Sequence, residues 1–115
     1  MRRNANPTEP AIDGVFRALA DPTRRRIVEQ LGRGPASVSE LAEPFEMALP
    51  SFVEHLRVLE ACGLATSQKA GRVRTYELVP KQLTLAETWL SRQRKTWERR
   101  LDRLDAYLLE LQKKG

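Results

Sequence analysis

The hydrophobic pattern of this 115-residue chain changes at Gly63, and the change limits the folds open to it. Before Gly63, apolar residues recur every three or four positions, which is the spacing of helices with one buried face. After Gly63, two short runs at 64–68 and 73–78 alternate apolar and polar residues, as half-buried strands do. The short segment 69–72 between them predicts a turn. We therefore expect a mostly α fold that includes a small β-hairpin.

The first two helices are predicted from apolar spacing and from residues that favour helix ends. Ile12 opens a stripe with i, i+3, i+4, i+7 spacing that runs to Leu19. The Asp21-Pro22 step ends this helix, because the residue before a proline avoids the helical region. Asp21 is then placed as the N-cap of a second helix, with Pro22 in its first position and Gly32 at its end.

The third and fourth helices are also marked by local signals. Ser37 and Glu40 have capping-box spacing at the start of a short third helix. Pro50 belongs in the first turn of a fourth helix, and Gly63 ends that helix. On a helical wheel the buried face of the fourth helix consists of Leu49, Phe52, Leu56 and Leu59.

The domain organisation follows from chain length and from where periodicity begins. Residues 1–11 contain two prolines and no apolar period, which predicts a flexible arm. Residues 12–79 should form a winged helix-turn-helix domain, since short helices followed by a two-stranded ribbon make that fold. Residues 80–115 are expected to be a C-terminal dimerisation helix of the same domain, because the chain is too short for two independent cores.

Composition excludes several classes of protein. One cysteine, Cys62, and one histidine, His55, provide few ligands, so we expect no metal and no cofactor. With no phosphate-binding loop and no paired carboxylates in an apolar setting, an enzyme is not expected. No apolar run is long enough to cross a membrane and no signal sequence is present, so a cytoplasmic protein is predicted. The net charge of +5 favours an anionic partner.

Double-stranded DNA is the partner that these features predict. The outer face of the fourth helix has small and polar side chains suited to a major groove, with candidate contacts at Pro50, Ser51, Glu54, His55 and Arg57. Cations around Gly71 can reach a phosphate backbone, which adds Lys69, Arg72 and Arg74. Arg24 is a further candidate, although the cluster 24–26 is explained equally well by an outside anion or by the neighbouring Asp21 and Glu29.

The terminal segment predicts one long helix, or two collinear ones, because after Pro80 it has neither Gly nor Pro before Gly115. Apolar residues at steps of seven, with leucines interleaved between them, form an apolar seam that is unbroken from Trp97 onward. The residues at steps of seven are Leu83, Leu90, Trp97, Leu104 and Leu111, and the interleaved ones are Leu101 and Leu108. The partner of this seam is either a second copy of the chain or the first helix of the same chain. For a homodimer, the expected interface residues are Ile12, Phe16, Leu90, Trp97, Leu101, Leu104, Leu108 and Leu111.

Five motifs resemble the ArsR family of bacterial regulators. They are Phe16-Arg17-Ala18-Leu19-Ala20-Asp21-Pro22-Thr23-Arg24, Val38-Ser39-Glu40-Leu41-Ala42, the segment from Leu49 to Leu59, Gly63-Leu64, and Gly71-Arg72-Val73-Arg74-Thr75-Tyr76. The resemblance implies a winged-helix homodimer that represses a promoter, with the fourth helix in the major groove and the terminal helices in the dimer interface.

The chain also departs from this family. Metal-sensing members have a Cys-x-Cys pair where Ser37 and Ser39 stand here, and residues 80–115 contain no histidine, so metal sensing is not expected. Val53 and Glu54 replace the family's usual serine and basic residue, so its base contacts do not transfer intact. Two alternatives stay open, namely a winged-helix module for protein interaction and a sensor of a small molecule or of redox state.

Overall fold

The computed structural model describes residues 9–114, in which the mostly α fold and the long C-terminal helix are confirmed. The elements are α1 (Glu9–Leu19), α2 (Pro22–Leu31), β1 (Ala36–Ser37), α3 (Val38–Ala42), α4 (Leu49–Ala61), β2 (Ala65–Ala70), β3 (Val73–Leu78) and α5 (Pro80–Lys114). Helix α1 begins three residues before the predicted start at Ile12. The remainder of the predicted arm, residues 1–8, lies outside the described residues.

The predicted caps of α2 and α3 are present as hydrogen bonds. The Asp21 carboxylate accepts from the backbone N–H groups of Thr23 at 2.8 Å and Arg24 at 3.2 Å. In α3, the Glu40 N–H donates to Ser37 Oγ at 3.2 Å, and the Ser37 N–H donates to Glu40 Oε1 at 2.8 Å. Both starts are set by neighbouring residues, which explains why the sequence alone predicts them.

Asp21 provides a pH-dependent contribution to stability. Burial acts to raise the pKa of Asp21, but the backbone hydrogen bonds and the charges of His55 and Arg24 outweigh it, so the pKa lies below its ordinary value of 3.8. This contribution is therefore present above the unfolded-state pKa and is lost as pH falls through the folded-state pKa.

We expect Asp21→Ala to lower the free energy of unfolding by about 1 kcal/mol at neutral pH, because the α2 cap is removed. Urea unfolding at neutral and acidic pH measures the effect, and the difference from the unsubstituted protein should shrink in acid. Asp21→Asn is the matched control, since it keeps a capping oxygen but does not titrate. An equal loss in the alanine variant at both pH values would contradict this role.

The sheet has one strand more than the sequence predicts. The two-residue strand β1 pairs antiparallel with β3, and the sheet order is β1-β3-β2. A strand of two residues is too short to show an alternating pattern, so nothing in the sequence marks it. The hairpin turn is also tighter than predicted, because β2 continues through Lys69 and Ala70 and leaves only Gly71 and Arg72 as the loop.

The core side of α4 is formed by fully buried side chains, namely Phe52, Leu56 and Leu59. Phe52 lies 5.2 Å from Phe45, measured between ring centroids. The prediction that Leu49 belongs to this buried face is wrong, because its side chain is 55% exposed. Leu49 is the first residue of α4, at the end of the helix, whereas the fully buried residues lie further along it.

Gly63 ends α4 as predicted, and the structure shows why a side chain is not accommodated there. Its φ of +85° lies in the left-handed region, and a Cβ atom would stand 2.9 Å from the Gln82 side chain. The N–H of Leu64 donates to the carbonyl of Leu59 at 3.0 Å, and that of Gly63 donates to Glu60 at 3.1 Å. These two bonds close the helix in a Schellman motif and direct the chain into β2.

Helix α5 packs on α1 only through its first part. Phe16 meets Trp89 edge to face with ring centroids 5.8 Å apart. Ile12, predicted to face a partner chain, is only 7% exposed and so packs mainly within its own chain. Every residue from 97 to 114 is exposed, so the seam does not dock on α1 of the same chain. Within residues 9–114, no helix is long and apolar enough to span a membrane.

Candidate nucleic-acid interface

The outer face of α4 is free of other parts of the described chain. Pro50, Ser51, Glu54 and Arg57 are exposed, while the opposite face of the helix is held in the core. No side chain caps the start of α4, since its N-cap residue is Ala48. The first turn therefore presents unpaired backbone N–H groups beside Ser51, and such groups favour an anion.

Glu54, the acidic residue on this face, forms an ion pair with one of the candidate cations. Arg57 Nη1 lies 3.2 Å from Glu54 Oε1, and both side chains are about two-thirds exposed. A pair this exposed contributes little to stability, about 0–1 kcal/mol. The pair places the Arg57 guanidinium beside Glu54 on the outer face of the helix.

Arg24 lies in the first turn of α2, and its side chain donates hydrogen bonds to the end of α1. Its Nε donates to the Ala18 carbonyl at 2.8 Å and its Nη2 to the Arg17 carbonyl at 3.2 Å. Its Nη1 is 3.1 Å from His55 Nδ1. Because a guanidinium has donors only, Nδ1 is the acceptor and the proton of a neutral His55 is on Nε2. Arg24 thus joins α1 to α4.

The rest of the arginine cluster also has partners inside the chain. Arg25 donates to the Leu19 carbonyl at 2.6 Å, and the Arg26 guanidinium lies 4.3 Å from the centre of the Phe45 ring. Among the described contacts, the side-chain hydrogen bonds of Arg24 and Arg25 go to backbone carbonyls and to His55, not to the carboxylates of Asp21 or Glu29. The carbonyls that accept from Arg24 and Arg25 lie in the last turn of α1.

The wing, defined as β2, β3 and their loop, brings the three predicted cations together. Lys69 and Arg74 are directly opposite one another in the antiparallel pair, and Arg72 is in the loop. All three side chains are exposed. Like charges directly opposite each other destabilise a hairpin, so this arrangement favours an outside anion.

A polar network connects the wing to α4 and was not predicted from the sequence. Arg74 Nη1 donates to Ser67 Oγ at 2.8 Å, and Ser67 Oγ donates to Glu60 Oε2 at 2.9 Å. Burial, followed by the charge of Glu60, raises the pKa of the neighbouring Tyr76. Arg74 is thus partly used in positioning the wing, whereas Lys69 and Arg72 have no such bond among the described contacts.

Cys62 is not close to a group of potential metal ligands within the described residues. Among residues 9–114, no three His, Cys, Asp or Glu side chains lie close enough to hold an ion. The half-buried Cys62 thiol donates to the Leu59 carbonyl at 3.4 Å.

Comparison with known proteins assigns this arrangement to a family. Residues 19–68 match the family model described as a helix-turn-helix domain. The HTH-type transcriptional regulator Rv2034 of Mycobacterium tuberculosis is 42% identical over 80 residues, which cover 70% of this chain and 75% of that protein. The transcriptional repressor SdpR of Bacillus subtilis is 30% identical over 79 residues, or 69% of this chain and 88% of the repressor.

A solved structure similar to this chain is also that of a transcriptional regulator. The crystal structure of an ArsR family transcriptional regulator, RHA00566, superposes with a TM-score of 0.74 at 51% identity, covering 76% of this chain and 97% of that one. The fold and relatives are those of transcriptional regulators and not of enzymes. The chain belongs to the ArsR family of winged helix-turn-helix proteins and is a DNA-binding transcriptional regulator.

Proposed function

We propose that the protein is a repressor that binds an inverted repeat in double-stranded DNA as a homodimer, with α4 in the major groove. The observation that carries this proposal is the two-sided character of α4. Phe52, Leu56 and Leu59 anchor one side, and the exposed side has small or polar residues at Pro50 and Ser51. A helix with such a surface enters the major groove and places hydrogen-bonding groups at the base edges.

The proposed base contacts come from Ser51, His55 and Arg57. Ser51 lies in the first turn, His55 offers Nε2, and Arg57 exchanges Glu54 for a base or a phosphate. Lys69 and Arg72 of the wing are proposed to contact phosphates beside the groove.

The proposed dimer uses the apolar surface that one chain leaves exposed. Trp97 is 60% exposed and Leu101 is 56% exposed. Next to this seam, an open groove of about 830 Å³ lies between α1 and α5, and its walls include Phe16 and Leu90. Repression as the direction of regulation is supported by the relative SdpR, which is a named transcriptional repressor.

Selection of bound sequences from random DNA tests the proposal. We expect an inverted repeat whose half-sites are about 34 Å, or one helical turn, apart, because the symmetry of a dimer is imposed on its site. Sedimentation of the purified complex should give two chains per site. An asymmetric site occupied by one chain would overturn the proposal.

Combined replacement of Lys69 and Arg72 by alanine should reduce the salt dependence of DNA binding. A dimer would lose four phosphate contacts, so the slope of log K against log salt concentration should become shallower by about 3 to 4. Fluorescence anisotropy over a salt series measures the slope. The matched control replaces Lys113 and Lys114, which removes the same charge at the far end of α5 and should leave the slope nearly unchanged. Equal slopes for all three proteins would exclude the wing from the interface.

A further inference from the structure

The imidazole of His55 lies at the border between the outer face of α4 and the interior of the domain. His55 follows the exposed Ser51 by four residues, so the two side chains are neighbours on the helix surface. Unlike Ser51, the His55 side chain is half-buried. A ring in this position can bond to the protein through one nitrogen and to a ligand through the other.

Arg24 occupies the nitrogen of this ring that faces the protein. Arg24 Nη1 lies 3.1 Å from His55 Nδ1. The same guanidinium donates through Nε to the Ala18 carbonyl at 2.8 Å and through Nη2 to the Arg17 carbonyl at 3.2 Å. At the other end of the residue, the backbone N–H of Arg24 donates to the Asp21 carboxylate at 3.2 Å. The donor that Arg24 offers to His55 is therefore held at both ends of the residue.

This contact determines what the second nitrogen of His55 can do. Because the guanidinium only donates, Nδ1 accepts and the proton of the neutral ring is on Nε2. The two nitrogens lie on opposite edges of the imidazole, so the Nε2–H group points away from Arg24. Among the described contacts, Nε2 has no hydrogen-bond partner. His55 thus presents a single donor of fixed direction.

We infer that Arg24 is a positioning residue for DNA recognition, which holds His55 as a hydrogen-bond donor to an acceptor on a base edge. The inference rests on the proposed function, in which α4 lies in the major groove, and adds the kind of base that His55 recognises. In that groove guanine presents two acceptors and adenine and thymine present one each, whereas cytosine presents only an amino donor. Guanine is the expected base, and cytosine is rejected at the same position.

Loss of Arg24 should broaden this preference. A histidine whose Nδ1 has no fixed partner exchanges between its two neutral tautomers and can also turn its ring over. Either change places an unprotonated nitrogen in the groove, where it accepts from the amino group of cytosine. Arg24 therefore acts on the choice of base, beyond its part in joining α1 to α4.

Binding to base-pair variants of the selected site tests the inference. Fluorescence anisotropy first identifies the base pair whose identity matters less to His55→Ala than to the unsubstituted protein. At that pair, replacing guanine by cytosine should weaken binding of the unsubstituted protein on the order of tenfold. Arg24→Met should lose most of this discrimination, and adding Arg24→Met to His55→Ala should change the discrimination no further.

Arg25→Met is the matched control. Arg25 donates to the Leu19 carbonyl in the same turn of α1, but its described side-chain bond does not involve His55. A purely structural effect of losing an arginine there lowers affinity for every site alike, so Arg25→Met should keep the full discrimination. If Arg24→Met also keeps it, the inference is overturned.

The protonation of the ring provides a second test that needs no DNA. His55 is the only histidine of the sequence, so every imidazole signal of the untagged protein belongs to it. In long-range proton–nitrogen NMR spectra, at a pH where the ring is neutral, we expect a protonated Nε2 and an unprotonated Nδ1. Arg24→Met should move both nitrogen shifts toward the average of the two tautomers, and Arg25→Met should not. A proton on Nδ1 in the unsubstituted protein would contradict the inference.

The outcomes also separate this inference from the proposed function. If two chains bind an inverted repeat but His55→Ala discriminates as well as the unsubstituted protein at every base pair, the inference is wrong and the homodimeric repressor stands. If one chain binds an asymmetric site and Arg24→Met still loses the discrimination, the homodimeric repressor is wrong and the role of Arg24 stands.

Discussion

Replacing Ser51 by glutamate is expected to weaken DNA binding on the order of 100-fold while leaving the protein folded. Ser51 lies in the exposed first turn of α4, and in the proposed complex a carboxylate there would face the DNA phosphates and base edges. The same charge is favourable to the helix itself, because an acidic residue near a helix N-terminus stabilises it by about 0.3–1 kcal/mol. Binding and stability should therefore change in opposite directions.

Fluorescence anisotropy with the selected site and thermal unfolding measure the two effects. Ser51→Gln is the matched control, since it has nearly the same size without the charge, and its loss of affinity should be much smaller. Equal losses for the two variants would mean that volume and not charge is the cause. Unchanged affinity in Ser51→Glu would remove the first turn of α4 from the interface.

Replacing Phe52 by alanine should cost about 3–5 kcal/mol of the free energy of unfolding. Its side chain is fully buried and packs on Phe45, so removal leaves a cavity between α4 and the rest of the core. Small domains are stable by only about 5–15 kcal/mol, so much of the protein would unfold at moderate temperature and DNA binding would fall with it.

Urea unfolding at a fixed protein concentration measures this loss, since the stability of a dimer depends on concentration. Leu49→Ala is a control on the same helix. Leu49 is 55% exposed, so its replacement should change the free energy of unfolding by less than about 0.5 kcal/mol. A large loss in this control would mean that Leu49 is covered in the dimer.

The sequence by itself determined the starts of α2 and α3, the end of α4 and the change from helix to hairpin. Asp21 and Ser37 cap through backbone groups two or three residues away, and Gly63 is required by the local backbone angle. Because such caps and turns depend only on residues a few positions apart, they can be predicted from the sequence alone. The family motifs are built on the same elements, which is why the fold and the DNA-binding class could be predicted together.

Tertiary structure alone decided which residues of the candidate site have partners inside the chain. Arg24 meets His55, 31 positions away, and donates to carbonyls at the end of α1, although the sequence suggested either an outside anion or the neighbouring carboxylates. Strand β1 exists because it pairs with β3 about 40 residues later. Leu49 has the period of the buried face, yet its side chain is 55% exposed. Apolar spacing defines a face of a helix, whereas burial and free charge depend on what packs against that face.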